Sequence, residues 1–248
     1  MLGGMIDVLK GCLKEEIRMG VLSNNLSNSN VVGFKKEGVS FSDMLSRIAS
    51  GGAGAGSPDG ATGTDQGLLR VETDFSQGDT RSTGNALDFA IAGKGFFKVV
   101  TPEGIRYTRK GNFYLDSEGF LITADGDRVA GKGGPIQISG GEVHADGQGV
   151  ITVDGDEAGQ LDVVDFEDYK GLLKEGDALF RNAGEKPEIP VPVETRIEQE
   201  SLEFSNVEAT EEMIKMIQCL RAFESYQKAI QTIDNVNSRV VNEVSRLR

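Results

Sequence analysis

Apolar side chains recur at three- and four-residue spacing at the two ends of this chain, and those two seams constrain its fold more than any other feature. Leu2, Met5, Ile6, Leu9, Leu13, Ile17 and Val21 predict an amphipathic helix over residues 2–26. Asn24, Asn25, Asn28 and Asn30, interleaved with serine, offer the backbone side-chain partners and end that helix, and Gly33 permits a tight turn before Phe34. At the other end, Ser205 and Glu208 read as a capping box. The seam that follows runs Met213, Met216, Leu220, Phe223, Tyr226, Ile230, Ile233, Asn237, Val240, Val244 and Leu247, a coiled-coil-like stripe. Some forty residues at 1.5 Å rise make a rod of roughly 60 Å. One narrow seam does not offset the entropy lost in ordering so many residues. The two ends are therefore expected to pair with each other or with other copies, or to stay largely unstructured until they do.

The middle has a different texture. Glycine supplies 33 of 248 residues, nearly twice the usual ~7%. Residues 50–67 form a low-complexity run, mostly Gly, Ala, Ser and Thr, too small-sided to bury anything, which reads as a flexible linker. Beyond it, strand character appears at 69–73, 89–91, 96–100, 120–123, 136–138, 150–153 and 161–166, with Asp125-Gly126, Asp146-Gly147 and Asp154-Gly155 as hairpin signals. Pro187, Pro190 and Pro192 impose an extended return path. The expected class is α+β: a discontinuous coiled-coil domain from paired N- and C-terminal helices, and a central, mainly antiparallel β domain. The corresponding segments are 1–36 (N-terminal helix), 37–67 (linker), 68–204 (β domain) and 205–248 (C-terminal helix).

Charge follows the same division. The net charge of -13 arises wholly in residues 49–205, since residues 1–48 sum to +1 and residues 206–248 to zero. Neutral ends can approach copies of themselves, whereas the acidic middle keeps neighbours apart. Nucleic acid is an improbable partner, and the closest approach to a basic patch, Arg106, Arg109 and Lys110, is flanked by acids. No apolar run reaches the 18 to 20 residues of a membrane span, so no membrane insertion is expected. The first residues, with Asp7, Glu15 and Glu16, do not read as a cleaved signal peptide.

Catalytic and metal chemistry finds little to work with. One histidine, His144, and two distant cysteines, Cys12 and Cys219, remove most triads and zinc motifs. The string from Gly126 to Lys132 spaces its glycines like a phosphate-binding loop but continues into Gly133 where Ser or Thr would hold magnesium. Asp154, Asp156, Gly159 and Asp165 occupy four calcium-loop positions between flanks that read as strands. Ser225 and Lys228 match an S-x-x-K string with none of its companion motifs. No catalytic residue, cofactor or metal is expected.

Four stretches, in order along the chain, resemble the flagellar rod and hook family of bacteria. They are Asn24-Asn25-Leu26-Ser27-Asn28 through Gly33-Phe34-Lys35, Gly84-Asn85-Ala86-Leu87-Asp88 through Gly95-Phe96-Phe97, Arg106-Tyr107-Thr108-Arg109-Lys110-Gly111-Asn112-Phe113, and Ser205-Asn206-Val207 leading to Arg221-Ala222-Phe223-Glu224. Within the family, Gly133-Gly134-Pro135-Ile136 and Arg221-Ala222-Phe223-Glu224 look most like the proximal-rod type, with the distal-rod type as close rival. The resemblance implies an axial subunit of the basal body, with copies of itself and other rod proteins as partners. It also implies passage through the flagellar type III export apparatus without signal cleavage, and placement in the rod crossing the periplasm. From the motifs, Asn24, Asn25, Leu26, Asn28, Gly33, Phe34, Arg221, Phe223 and Glu224 carry over as packing and assembly positions. The seam positions Leu9, Leu13, Ile17, Met216, Leu220 and Ile230 join them. Two other readings compete: a peptidoglycan-acting hydrolase built on a carboxylate pair, and a monomeric β-rich binding module with its helical ends folded back.

Overall fold

The computed structural model describes residues 2–40, 70–176, 178–184 and 186–246. The Gly-rich run 50–67 lies outside the described residues, as do Leu69 and Leu247 and the side chains of Leu2, Asn237, Val240 and Val244. The chain divides into two compact units. One comprises Met1–Ser27, Glu37–Glu72 and Glu208–Arg248, the other Asn28–Lys36 and Thr73–Val207.

The first unit holds helix α1 (Leu2–Ser27), strands β1 (Glu37–Ser40) and β2 (Arg70–Thr73), which pair as a two-stranded sheet, and helix α2 (Ala209–Arg246). Of the stretch 37–67 read as linker, its first four residues are thus β1. Helix α1 matches its seam to within one residue at its C-terminal end. Helix α2 starts four residues after Ser205, so the expected capping box does not form. Ser205 Oγ instead accepts from the Val207 amide at 3.2 Å, and the first helical bond runs from Glu212 N to Glu208 O. Residues 205–207 are held outside the helix because Val207 is buried and the Asn206 side chain serves other backbone groups, described below.

The second unit is built of short strands: β3 (Thr80–Ser82), β4 (Phe89–Ala92), β5 (Phe96–Thr101), β6 (Gly104–Thr108), β7 (Tyr114–Leu115), β8 (Leu121–Ile122), β9 (Arg128–Gly131) and β10 (Gly134–Pro135). There follow β11 (Val143–Ala145), β12 (Val150–Val153), β13 (Asp156–Gln160), β14 (Val163–Phe166), β15 (Leu172–Glu175), β16 (Leu179–Asn182), β17 (Glu188–Pro190), β18 (Arg196–Gln199) and β19 (Ser201–Glu203). The main sheet has the order β15-β16-β6-β5-β9-β8-β7, with β14 also on β5, β17 on β14 and β10 on β9. Smaller sheets join β11-β12-β13, β18-β4 and β19-β3, and every pairing in this unit is antiparallel. Pro187 precedes β17 and Pro190 is its last residue; among the described residues the strand pairs only with β14, and proline's missing donor is tolerated on such a strand.

Successive side chains on a strand point to opposite faces, and β5 and β14 show the result. Phe97, Val99 and Val163 enter a core with Phe89, Ile91, Phe113, Leu121, Ile151 and Leu161. Phe96, Val164 and Phe166 enter another with Tyr107, Leu172 and Phe180. Strands β5 and β14 are thus hydrophobic on two sides, and the main sheet is covered on both faces where they lie. The β12–β13 turn places Asp154 (φ 52°) and Gly155 (φ 97°) in left-handed geometry, as a two-residue hairpin requires.

Candidate functional site

In the helical unit, α1 and α2 run antiparallel. Contacting pairs fall at Gly11 with Tyr226, Glu15 with Cys219 and Asn25 with Glu212, one number rising as the other falls. The α2 members Glu212, Cys219 and Tyr226 lie seven residues apart, and so do Gly11, Arg18 and Asn25 on α1. A side chain at position 11 would meet the Tyr226 ring at 2.6 Å, so glycine is what lets the aromatic ring approach the α1 backbone. Asn25, 1% exposed, donates from Nδ2 to Glu37 O (2.8 Å) and Glu212 Oε2 (3.2 Å), while its Oδ1 accepts from Glu37 N (2.9 Å). It joins the end of α1 to β1 and to the first turn of α2.

The intramolecular face is rotated from the seam that spacing predicts. On α1, the buried residues among those described are Glu15, Leu22 and Asn25, while Ile6, Leu9 and Leu13 remain 45%, 47% and 56% exposed. On α2, Glu212 and Cys219 are buried, whereas their neighbours Met213 and Leu220 are 47% and 42% exposed, together with Ile214 and Ile217. Ile17, Leu26, Met216, Phe223 and Ile230 are half-buried; Asn24, Arg221 and Glu224 are exposed. An apolar stripe wider than one helix can cover explains the difference: one partner buries one flank and leaves the other outside. The buried flank carries an anomaly. The Glu15 Oε2 is buried without a hydrogen bond, its nearest cation, Arg18 NH1, standing 3.8 Å away. Cys219 Sγ donates to Glu15 O at 3.1 Å, and burial together with the neighbouring Glu15 carboxylate pushes the thiol up to about 11.

In the β unit, the stretches that carry the family resemblance converge on one buried ion cluster. Glu203 is fully buried; its Oε1 accepts from Lys35 Nζ (2.5 Å) and Gly78 N (2.9 Å), and its Oε2 from Arg109 NH1 (3.0 Å). Lys35 also donates to Ser76 O (2.7 Å), and Arg109 NH2 to Gly93 O (2.9 Å). Burial pushes the Lys35 amine below its ordinary 10.5, and although Glu203 opposes this, Arg109 adds to it. The backbone doubles the link. Gly33 N donates to Glu203 O (2.8 Å) and Lys36 N to Asn206 Oδ1 (2.8 Å), while Asn206 Nδ2 reaches Asp74 O (2.9 Å). Gly33 has φ +68°, and a Cβ there would lie 2.4 Å from Lys110 N. Phe34 is fully buried with the Lys174 ammonium 3.7 Å from its ring centre. Asn28 accepts the Val31 amide in the turn between α1 and Gly33.

Each of the three residue strings matched to catalytic motifs has a structural place. Asp154 accepts the Glu142 amide at the hairpin it turns, and Asp156 and Gly159 lie on β13. The Gly126–Lys132 string is a turn into β9, and Ser225 and Lys228 stand exposed on α2. Arg106 and Arg109 form no basic surface: both are buried, Arg106 against Glu175 and Arg109 against Glu203. His144 is exposed beside Glu142. Among the described residues no cluster of three or more His, Cys, Asp or Glu side chains is placed to hold a metal ion, and no helix is long and apolar enough to cross a membrane.

Lys35, Arg109 and Glu203 were not among the site residues read from sequence. The first two stand inside recognisable motifs, but nothing local marks Glu203 as their partner across 168 and 94 residues.

Comparison with known proteins agrees with this convergence. Residues 14–35 match the model described as flagella basal body rod protein, 90–160 the flagellar hook protein FlgE/F/G D1 domain, and 198–243 the flagellar basal body rod FlgEFG protein C-terminal. The flagellar basal-body rod protein FlgG of Bacillus subtilis is 35% identical over 98% of this chain and 99% of its own length. The chain belongs to the flagellar basal-body rod protein family. FlgF of Caulobacter vibrioides is 32% identical over 92% of each chain, and FlgG of Borreliella burgdorferi 32% over 95% of this chain and 96% of its own. Rod proteins of both names thus match at similar identity.

Proposed function

We infer that this chain is a structural, non-catalytic subunit of the bacterial flagellar basal-body rod, polymerising through its terminal helices into the shaft that passes torque from motor to hook. The observation that carries the reading is the apolar flank left exposed by the α1–α2 pair: Ile6, Leu9 and Leu13 on one helix, Met213, Ile214, Ile217 and Leu220 on the other. Full-length likeness to rod proteins supports it, as does the electrical neutrality of the two end segments. In this reading the helices form the inner, coiled-coil layer of the rod, and copies of the chain and other rod proteins cover the exposed flank. The subunit reaches the rod, across the periplasm, through the flagellar type III export apparatus without signal cleavage. Asn24, Arg221 and Glu224 stand on the exposed helix surface where a neighbouring subunit would meet them. The matched families carry no catalytic description, which counts against the hydrolase reading.

The test is Leu13→Asp or Leu220→Asp in the full chain. Each places a charge where a neighbour must bury it, so purified basal bodies should lack the variant while its β unit unfolds as in the parent. Incorporation at the parent level overturns the reading. Immunogold labelling assigns the type: label on the cell-proximal rod indicates the FlgF type, and label along the distal rod the FlgG type.

A further inference from the structure

We propose that the buried cluster of Lys35, Arg109 and Glu203 is a clasp that makes the docking of two chain segments on the β unit, residues 28–36 and 201–207, mutually dependent. These segments are the ones that directly follow α1 and directly precede α2 in the chain. The inference concerns contacts inside the β unit and stands apart from the polymerisation reading.

The argument rests on what each segment leaves behind when the other departs. Without residues 201–207, Lys35 and Arg109 lose their shared carboxylate, and their remaining hydrogen bonds go to the carbonyls of Ser76, Ile91 and Gly93, with the Phe96 ring beside Arg109 and the charge of Asp74 acting on Lys35. Gly33 N and Lys36 N lose their acceptors at the same moment. Without residues 28–36, Glu203 keeps Arg109 and the Gly78 amide but loses the cation at its shortest contact, and Asn206 Oδ1 loses the Lys36 amide, so the stripped charges are the two cations left when residues 201–207 depart. A buried charge stripped of its partner is strongly destabilising, whereas the intact pair contributes little net stability. The cluster therefore adds little to the β unit as a whole and much to the coupling between its two terminal segments. Apolar contact alone would not do this, since Phe34 and Leu202 each lose burial in proportion to what leaves, without the all-or-none penalty of an orphaned charge. Coupling of this kind is reciprocal by thermodynamic necessity.

Hydrogen exchange on the full chain, read by mass spectrometry, tests the clasp. Lys35→Met alters only the N-terminal segment, and Glu203→Gln only the C-terminal one. Each should accelerate amide exchange at least tenfold in both segments, read at Gly33 and at Phe204, whose amide is bonded to Asp79 O, and leave the β12–β13 hairpin at the parent rate. The double variant should exchange no faster than the faster single one, because either substitution already opens the clasp. Acceleration confined to the substituted segment, or rate increases that multiply in the double variant, overturns the proposal. Should Glu203→Gln fail to fold, Lys35→Met carries the test alone: faster exchange at Phe204, in the segment it does not alter, supports the clasp, and an unchanged rate there overturns it.

Discussion

The helical unit and the β unit dispose their side chains in opposite ways. In the β unit Phe89, Phe97 and Phe180 are fully buried, and the buried carboxylate of Glu203 has three donors. In the helical unit Leu9, Leu13 and Leu220 lie open while the Glu15 carboxylate is inside with an oxygen that has no hydrogen bond. A fold that is complete by itself buries apolar surface and satisfies its buried polar atoms. By that measure the β unit is the more nearly complete, with Arg109 Nε its one buried side-chain atom without a hydrogen bond among the described residues, whereas the helical unit leaves a contiguous apolar flank open. The contrast is what the proposed polymerisation through the terminal helices would require.

The sharpest way to break the comparison is at Gly33. Its positive φ and the 2.4 Å approach to Lys110 N leave no room for a Cβ, so Gly33→Val should destabilise the β unit by about 4 kcal/mol or more in urea unfolding. Next in size is a pair of truncations. Phe97→Ala, in the closed core, is expected to lose about 3–5 kcal/mol. Leu220→Ala, on the open flank at 42% exposure, should change the stability of the isolated chain by less than about 1 kcal/mol. Similar losses from both would mean that the helical unit is as closed as the β unit. A smaller effect of opposite sign is expected at Glu15. Replacing its ill-satisfied carboxylate by Leu should raise the stability of the helix pair by about 1 kcal/mol, read as a later loss of helical circular dichroism on heating. A loss would show that the Arg18 contact, long as it is, outweighs burial.

The smallest expected effect is an acid response confined to the β unit. Burial raises the Glu188 carboxyl, but hydrogen bonds from Lys98 (2.8 Å) and Tyr107 (2.6 Å) outweigh it and hold the group below its ordinary 4.5. Because the unfolded chain binds the proton more readily, this contribution is present above 4.5 and is lost as pH falls below it toward the folded value. Glu188→Gln should flatten that part of the stability profile. An unchanged acid limb would assign the response to other carboxylates, Asp74 and Glu175 among them, both also held low.

Both helices were legible from periodicity, and so were the strands with strong apolar character, such as 89–92, 96–101 and 150–153. Strands such as Gly104–Thr108 and Ser201–Glu203 were not, because polar residues in them are buried by partners far away in the chain. Arg106, for instance, is covered by Glu175, 69 residues on. The stretch 136–138, read as a strand, keeps only an isolated bridge from Gln137 to Phe120, although Ile136 and Ile138 are buried. Apolar alternation reports burial more faithfully than it reports pairing.

Residue spacing by itself determined that this chain has helical ends around a glycine-rich, acidic β region, since periodicity and turn chemistry are local properties. The motifs by themselves determined its family, because their order and content survive in the linear chain. Only the tertiary structure decided which flank of each helix faces its partner, since a stripe broad enough for two neighbours does not say which one it meets first. Only the tertiary structure could join Lys35, Arg109 and Glu203, because a buried charge is tolerated through its partner, and the partner's position is a property of the fold.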